Sequence, residues 1–312
     1  MELLKRVPTI PFMKWHKQAV MVSAVILLAF LVSIVFRGLN LGIDFKGGTL
    51  VEVGYQQAAD LNKVRDALEK SGFGDAVVQH FGTTRDVLVR LAPREGLSNA
   101  ELSTRLLTIL KTTSSENVEM RRIEFVGPQI GEELVEKGGM ATLTALACIL
   151  LYVWVRFEKR FALGSIAALI HDVIFTVGVF SVLGLEFDLT VLAAILAVIG
   201  YSLNDTIVVF DRVRENFRRM RKGTPADVID ASINQTLSRT LMTSLTTLLV
   251  LTALFIFGGE LIHGFATALI VGVVVGTYSS VYIASSTTLM LGVTKQDLMP
   301  PEKEGADQES VL

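Results

Sequence analysis

Asn204 and Asp205 lie next to each other inside a long apolar segment that runs from Val191 to Phe210. An ionised carboxylate at membrane depth costs about 3 kcal/mol or more unless it has a partner, a bound proton or access to water. A carboxylate that binds and releases a proton there can carry protons through the membrane. The neighbouring asparagine both donates and accepts hydrogen bonds, which suits a polar pocket. The pair predicts a proton relay, with a structural ion pair as the alternative.

Two arginines are candidate charge partners for Asp205. Arg212 follows it by seven residues, about 10 Å at helical rise, so one interpretation is that Asp205 reaches towards the membrane surface. Arg239 precedes the apolar part of the fifth predicted span, at a depth similar to that of Asp205. Its position is typical of a positive-inside anchor; as a partner it would favour ionised Asp205. Arg239 stays charged and cannot carry the proton itself.

A second acid, Asp172, lies about half-way along the third predicted span and follows His171. Gly164, Ala168, Asp172 and Thr176 recur at four-residue steps, so the acid shares a helix face with small residues that allow another helix to approach closely. One interpretation is a buried acid that pairs with a neighbouring helix or with His171 and fixes the packing. The other is an acid that titrates.

Hydroxyl and ring groups on neighbouring spans are expected to support the two acids. Tyr201 shares a helix face with Asp205, and Ser280 ends a stripe of small residues that also contains Gly272 and Gly276. We interpret this stripe first as a packing seam, beside which hydroxyls can bond a carboxylate or hold water. The predicted supporting cluster consists of His171, Tyr201, Tyr278, Ser279 and Ser280.

The composition is that of a membrane protein and excludes several other classes. The chain has 312 residues, of which 51% are hydrophobic, and a mean hydropathy of +0.51. Its single cysteine, Cys148, excludes an internal disulfide and cysteine metal clusters. The net charge of −2, without a basic patch on a soluble part, gives no indication of nucleic-acid binding. No phosphate loop, nucleophile elbow or metal-ligand spacing occurs, so we expect no enzyme activity, metal or other cofactor.

Six apolar windows are long enough to cross the hydrocarbon core of a membrane. The first lacks a cleavage pattern and is expected to remain as an anchor after an N-terminal segment at 1–17. The windows lie at 18–36, 136–155, 162–184, 189–210, 240–258 and 264–290. The last five form a membrane domain over 136–290, and a charged tail without periodicity at 291–312 is expected to be disordered.

The distribution of lysine and arginine predicts the orientation. Basic residues precede the first span, fill the turn between the second and third, and follow the fourth, whereas the loops at 184–188 and 258–264 contain none. Both termini are therefore expected in the cytoplasm and the large insert after the first span outside it. A basic segment at 211–238 is expected to lie on the inner membrane face, with a second short helix that begins at Pro225.

The insert at 40–130 has the composition of one small soluble domain. Strand-like alternation and helical periodicity follow each other in the order β-α-β-β-α-β, which is the ferredoxin-like plan. Ser98 and Glu101 have the spacing of a capping box at the start of the second helix. Gly47 and Gly48 predict a bend at the membrane surface.

Five motifs in this order resemble the SecF branch of the SecD/SecF family of protein-export membrane proteins, within the RND superfamily. They are Leu41-Gly-Ile-Asp-Phe-Lys-Gly-Gly, Ala168-Leu-Ile-His-Asp172, Gly200-Tyr-Ser-Leu-Asn-Asp-Thr-Ile-Val-Val-Phe-Asp-Arg212, Ser238-Arg-Thr240 and Gly276-Thr-Tyr-Ser-Ser280. The resemblance implies an α-helical polytopic membrane protein with six transmembrane helices and one ferredoxin-like extracytoplasmic domain between helices 1 and 2.

The same resemblance implies a function, a location and partners. A SecF-like chain pairs with SecD in the bacterial inner membrane and uses the proton-motive force to promote late stages of preprotein translocation. The implied partners are SecD, the SecYEG channel, YajC, unfolded preprotein and membrane lipids. By position, Asp205 and Arg239 match the family's proton path, and Asp172 matches the acid of its third-span motif. The family's other proton-path aspartate belongs to SecD.

Three alternatives stay open at this point. The chain could be a purely structural subunit that stabilises SecD and docks it to the channel. It could also be an RND-type exporter of small molecules that pairs with itself, although exporters of that superfamily carry two halves with large inserts. Sodium could replace the proton as the coupling ion, because an Asp–Asn pair suits either.

Overall fold

A computed structural model describes residues 8–93, 99–113, 118–220 and 222–294. Within these ranges the chain is mostly helical, and six helices are long and apolar enough to cross a membrane. The elements are α1 (His16–Arg37), β1 (Asn40–Leu41), α2 (Ile43–Lys46), β2 (Gly48–Gly54), α3 (Leu61–Lys70), β3 (Val77–Phe81), β4 (Thr83–Leu91), α4 (Asn99–Thr113), β5 (Glu119–Val126), α5 (Pro128–Arg156), α6 (Lys159–Leu183), β6 (Glu186–Phe187), α7 (Leu189–Arg219), α8 (Pro225–Phe257), α9 (Glu260–Ser279), a π-helical turn (Ser280–Ala284) and α10 (Ser285–Met290).

The six predicted spans are confirmed as helices, with α9, the π turn and α10 forming the sixth. In the most apolar window of each span, 44%, 50% and 56% of the residues are buried in the third, fourth and sixth, against 6% in the first and second. The third, fourth and sixth spans therefore form the centre of the bundle. The second span and the outer face of the first have apolar surfaces that lipid or another protein must cover.

The basic segment at 211–238 agrees with its prediction in that a helix begins at Pro225, but this helix is long rather than short. Helix α7 continues to Arg219, and α8 begins at Pro225 and runs unbroken to Phe257. A capping box starts α8: the Asp227 amide donates to Thr224 Oγ1, and the Thr224 amide donates to Asp227 Oδ2. No glycine or proline follows before Gly258, so nothing ends the helix between the cap and the membrane.

The insert has the predicted order β-α-β-β-α-β. Its antiparallel sheet has the strand order β3-β4-β2-β5, and α3 and α4 cover one face. Val51, Val53 and Val89 of the sheet pack there against Leu68 and Leu106 of the helices, all of them fully buried. The proposed cap at Ser98 and most of the predicted tail at 291–312 lie outside the described residues.

The predicted bend at Gly47 and Gly48 is confirmed, and both residues have positive φ angles, +69° and +133°. A Cβ atom on Gly48 would lie 2.4 Å from the carbonyl oxygen of Leu91, so the position excludes any side chain. The bend allows the chain to leave α2 and enter the first strand of the insert sheet directly.

A small joint connects the insert to the loop between α6 and α7. β1 pairs in parallel with β6, and the Gly42 amide donates to the Phe187 carbonyl at 2.8 Å. Asp44 accepts a hydrogen bond from the Leu189 amide at 3.0 Å, so a side chain of the insert satisfies an unpaired amide at the start of α7. The sequence patterns gave no indication of this joint.

Candidate functional site

Asp205 lies on the buried face of α7 and is held by two neutral hydroxyl groups. Thr240 Oγ1 of α8 donates to Oδ1 at 2.7 Å, and Ser280 Oγ of the π turn donates to Oδ2 at 2.7 Å. The residue is 6% exposed. A hydroxyl donates to a carboxylate and, after rotation, accepts from a carboxylic acid. The pocket can therefore hold Asp205 with or without its proton.

The two predicted neighbours of Asp205 lie outside this pocket. Asn204 is on the exposed side of α7, because successive residues of a helix point about 100° apart. Arg239 directly precedes Thr240, but its side chain is exposed and makes no ion pair with Asp205 in the part of the chain that the structure describes. Arg212 pairs with Glu215 at 2.8 Å, so it is not the partner of Asp205 either.

Asp172 forms a second, fully buried polar cluster between α6, α7 and α9. Its Oδ1 lies 2.9 Å from His171 Nδ1. Its Oδ2 accepts hydrogen bonds from Ser202 Oγ and, at 2.7 Å, from Ser279 Oγ. The side chain of Asp172 is 0% exposed. The structure thus brings together Asp172, His171 and Ser279, three of the predicted site residues.

The predicted packing seam on the sixth span explains how serines of that span reach both acids. A Cβ atom on Gly272 would lie 2.1 Å from Val198 Cγ2, and one on Gly276 would lie 3.1 Å from Ser202 Cβ. A side chain at Gly272 would clash with Val198, and one at Gly276 would make a tight contact with Ser202, so the two glycines allow α9 to approach α7 closely. The consecutive residues Ser279 and Ser280 then donate to different acids, Ser279 to Asp172 and Ser280 to Asp205.

The two tyrosines of the predicted cluster bond elsewhere. Tyr201 donates to Ser244 Oγ at 3.1 Å, and Ser244 shares a hydrogen bond with Thr277 at 2.6 Å. The Tyr278 hydroxyl lies 2.9 Å from Ser23 Oγ of α1. Tyr201 therefore connects the fourth and fifth spans, and Tyr278 connects the sixth to the first.

Two direct donors to the acids, Ser202 and Thr240, were not among the predicted site residues. Each occurs within one of the polar motifs, three residues before Asp205 and directly after Arg239. A search for hydroxyl residues at the depth of each buried acid would have found them, since a buried carboxylate requires donors.

Comparison with known proteins decides the family. The model of the C-terminal region of the protein export membrane proteins SecD and SecF matches residues 106–294, and the SecD/SecF GG motif matches 32–59. Protein translocase subunit SecF of Vibrio alginolyticus is 58% identical over 98% of this chain and 98% of its own length. SecF of Escherichia coli O157:H7 is 45% identical over 96% of this chain and 94% of its own length.

The chain belongs to the SecD/SecF family.

Solved structures of this family have the same fold. The crystal structure of SecDF from Thermus, described as a translocon-associated membrane protein, matches 93% of this chain at 39% identity with a TM-score of 0.83. A SecDF structure in a super-membrane-facing form matches the same share at 40% identity with a TM-score of 0.67. The chain spans 39% of the length of each solved SecDF chain. At nearly equal identity and coverage, this chain is more similar to the first of these structures than to the second.

The GG motif of this SecD/SecF family member lies at the joint below the insert. A cavity of about 380 Å³ between insert and bundle is lined by Asp44, Glu186 and Asp188, among others. Arg90 of β4 forms an ion pair with Glu186 of β6, and both side chains are half-buried. This pair connects the insert directly to the loop between α6 and α7.

Burial raises the pKa of Glu186 above its ordinary value of 4.5; Arg90 opposes the shift, and Asp188 and Asp44 add to it. A carboxyl group whose pKa is raised in the folded protein stabilises the joint while it is protonated. This stabilisation is complete at pH values below the pKa of the group in the unfolded chain, and it is lost as pH rises through the raised pKa. We expect the hydrogen-exchange protection of the Gly42 amide, corrected for intrinsic exchange, to fall as pH rises through that window. Glu186→Gln should keep the protection nearly constant.

Glu124→Gln serves as the control for that prediction, because Glu124 lines the same cavity but pairs with Arg122 inside the insert. It should leave the pH dependence at Gly42 unchanged. Protection that rises with pH in the wild-type protein would show that the Arg90 ion pair outweighs the burial of Glu186.

Proposed function

We propose that this chain works as a SecF-type subunit that couples a proton gradient to late stages of preprotein export. The observation that carries the proposal is Asp205, a buried acid at the depth of the spans that is held by two neutral hydroxyls. A carboxyl group in such surroundings is suited to bind and release a proton. A purely structural acid would be expected to have a cationic partner. Among the described residues, no cationic side chain forms a hydrogen bond or ion pair with Asp205.

The proposed partner is a SecD subunit that covers the exposed polar residues of the fourth and fifth spans. Asn204 and Arg239 are exposed at positions inside or next to apolar segments, where lipid would be an unfavourable neighbour. This chain spans 39% of the length of each solved SecDF chain, and the name of those chains joins SecD to SecF. A second half packed against α7 and α8 would give Arg239 an acidic partner.

The proposed orientation follows the positive-inside rule. Both termini lie in the cytoplasm, and the insert, as a ferredoxin-like domain, lies in the periplasm of a bacterial inner membrane. The insert is then on the side from which protons enter. Further proposed partners are the SecYEG channel, YajC, unfolded preprotein and lipids; the proposal includes no enzyme activity and no cofactor besides the ion gradient.

The proposed coupling route begins at Asp205 and ends at the insert. A change in the protonation of Asp205 alters the hydrogen bonds from Thr240 and Ser280, and hence the packing of α7 against α8 and the sixth span. The first residue of α7, Leu189, is bonded to Asp44 of the insert, so a shift of the helix reaches the joint directly.

Export of a preprotein into sealed inverted vesicles tests this function. Vesicles that contain SecD, SecYEG and this chain should export faster than vesicles without this chain, but only while a gradient exists. A protonophore should remove the whole stimulation, whereas a sodium ionophore should leave it intact. Loss with the sodium ionophore alone would identify sodium as the coupling ion. Stimulation that survives the collapse of both gradients would favour the structural-subunit alternative.

A further inference from the structure

We propose that the His171–Asp172 pair is a second proton-binding site, coupled to Asp205 through the consecutive residues Ser279 and Ser280. The inference rests on the proposed proton-driven function and adds to it a site and a connection. It is carried by the burial of the pair, by an unpartnered ring nitrogen, and by the way one short segment bonds both acids.

The charge balance of the pair requires a bound proton. Asp172 is 0% exposed and His171 is 3% exposed. The other groups that bond the carboxylate, Ser202 and Ser279, are neutral. A net charge at this depth is costly, so the pair is most stable with one shared proton. That proton is either on the carboxyl group beside a neutral imidazole or on an imidazolium beside a carboxylate.

His171 has an unused nitrogen through which the proton can exchange. Its Nε2 atom is buried and has no hydrogen-bond partner in the described part of the chain. Buried polar atoms are normally bonded, and an exception calls for an explanation such as exchange or a water molecule. The ring lies against Phe175 and Tyr278, with centroids 5.9 and 6.0 Å apart. Tyr278 is the titratable neighbour, and no lysine, arginine or second acid bonds the pair among the described residues.

The sixth span provides the connection between the two acids. Ser279 donates to Asp172, and Ser280 donates to Asp205. The π-helical turn begins at Ser280, and such turns introduce a local irregularity that is frequent at functional sites. Protonation of Asp205 changes its hydrogen bond with Ser280. A resulting shift of the backbone at Ser280 also displaces the neighbouring Ser279. Binding of a proton at one acid therefore alters the affinity of the other, and the effect is reciprocal.

The protonation state of His171 can be observed directly by nitrogen-15 NMR of the complete complex in lipid. Loss of the shared proton leaves Nδ1 bonded to a carboxylate, so it changes the signals of the imidazole whichever group held the proton. A variant in which the other histidines, His16, His80 and His263, are replaced by glutamine assigns these signals without altering the site. We expect them to change when the pH is raised across the range in which the complex stays intact.

The coupling is tested by the same titration in Asp205→Asn. We expect the midpoint of the His171 signal to shift in this variant, and Ser279→Ala to remove that shift. Ser285→Ala is the matched control, because Ser285 bonds the backbone oxygen of Ser280 and no acid; it should leave the shift in place.

Two results would overturn the inference. Signals of His171 that stay constant over the whole range would mean that the pair binds no exchangeable proton. A midpoint that is the same in wild type and Asp205→Asn would exclude the coupling. Neither result depends on export, so gradient-dependent export with unchanging His171 signals would refute this inference alone. Export whose rate does not depend on the ion gradient would refute the proposed function instead.

Discussion

Replacing Asp205 by asparagine is expected to abolish the gradient-dependent part of export while the complex still assembles. Asparagine has nearly the same shape and can keep hydrogen bonds with Thr240 Oγ1 and Ser280 Oγ, which bond the acid at 2.7 Å each. It cannot bind and release a proton at any relevant pH. Export by vesicles with the variant should fall to the rate of vesicles that lack this chain, and that rate should no longer respond to a protonophore.

Asp211→Asn is the matched control for that experiment. Asp211 lies on the same helix, and its half-exposed side chain pairs with Arg156 at 3.0 Å. An exposed ion pair contributes about 0 to 1 kcal/mol, so this variant should export at nearly the wild-type rate. Complex levels are matched by pull-down of the partner subunit. Full gradient-dependent stimulation by Asp205→Asn would contradict the proton-relay proposal and leave this chain as a structural subunit.

The parts of the structure that depend on local sequence were predictable. Hydrophobic segments of sufficient length must form helices in a membrane, because lipid cannot bond free backbone groups. The positions of all six spans therefore follow from the sequence. The order of strands and helices in the insert was also visible in its alternating patterns. The extensions of α5, α7 and α8 beyond the apolar windows were missed, since polar helical turns outside the membrane have no hydropathy signal.

The parts that depend on contacts between distant segments were not predictable. Asn204 is adjacent to Asp205 in sequence, yet the helix turns it to the exposed side. Depth alone suggested Arg239 as the partner of Asp205. The rotation of α8 presents Thr240 as the direct hydrogen-bond donor, and the exposed Arg239 acts on Asp205 only through its charge. The joint brings Arg90 to Glu186, nearly a hundred residues away. Such pairings depend on packing angles and on the exact rotation of each helix, which the pattern of one chain does not determine.

The joint is the place where motion of the bundle would reach the insert. The Arg90–Glu186 ion pair and the Asp44–Leu189 hydrogen bond connect the insert to the start of α7, the helix that carries Asp205. Two solved SecDF structures match this chain with TM-scores of 0.83 and 0.67 at the same coverage. The second of them is described as a super-membrane-facing form. If the insert must move to promote export, a covalent link across the joint should stop it.

We therefore expect a cross-link between Arg90→Cys and Glu186→Cys to abolish gradient-dependent export, and reduction to restore it. The only native cysteine, Cys148, is exposed and is first replaced by serine. A short bis-thiosulfonate reagent spans the length of the removed ion pair.

The control is a cross-link between Arg121→Cys and Asp86→Cys, which replaces an ion pair of 2.8 Å inside the insert and should leave export unchanged. Both cross-links include a residue of the insert, but only the first fixes the insert to the loop that leads into α7. A difference in export between the two cross-linked proteins therefore isolates motion at the joint. Full export by the first cross-linked protein would show that the insert works without leaving the bundle, and the proton at Asp205 would then have to act through the partner subunit.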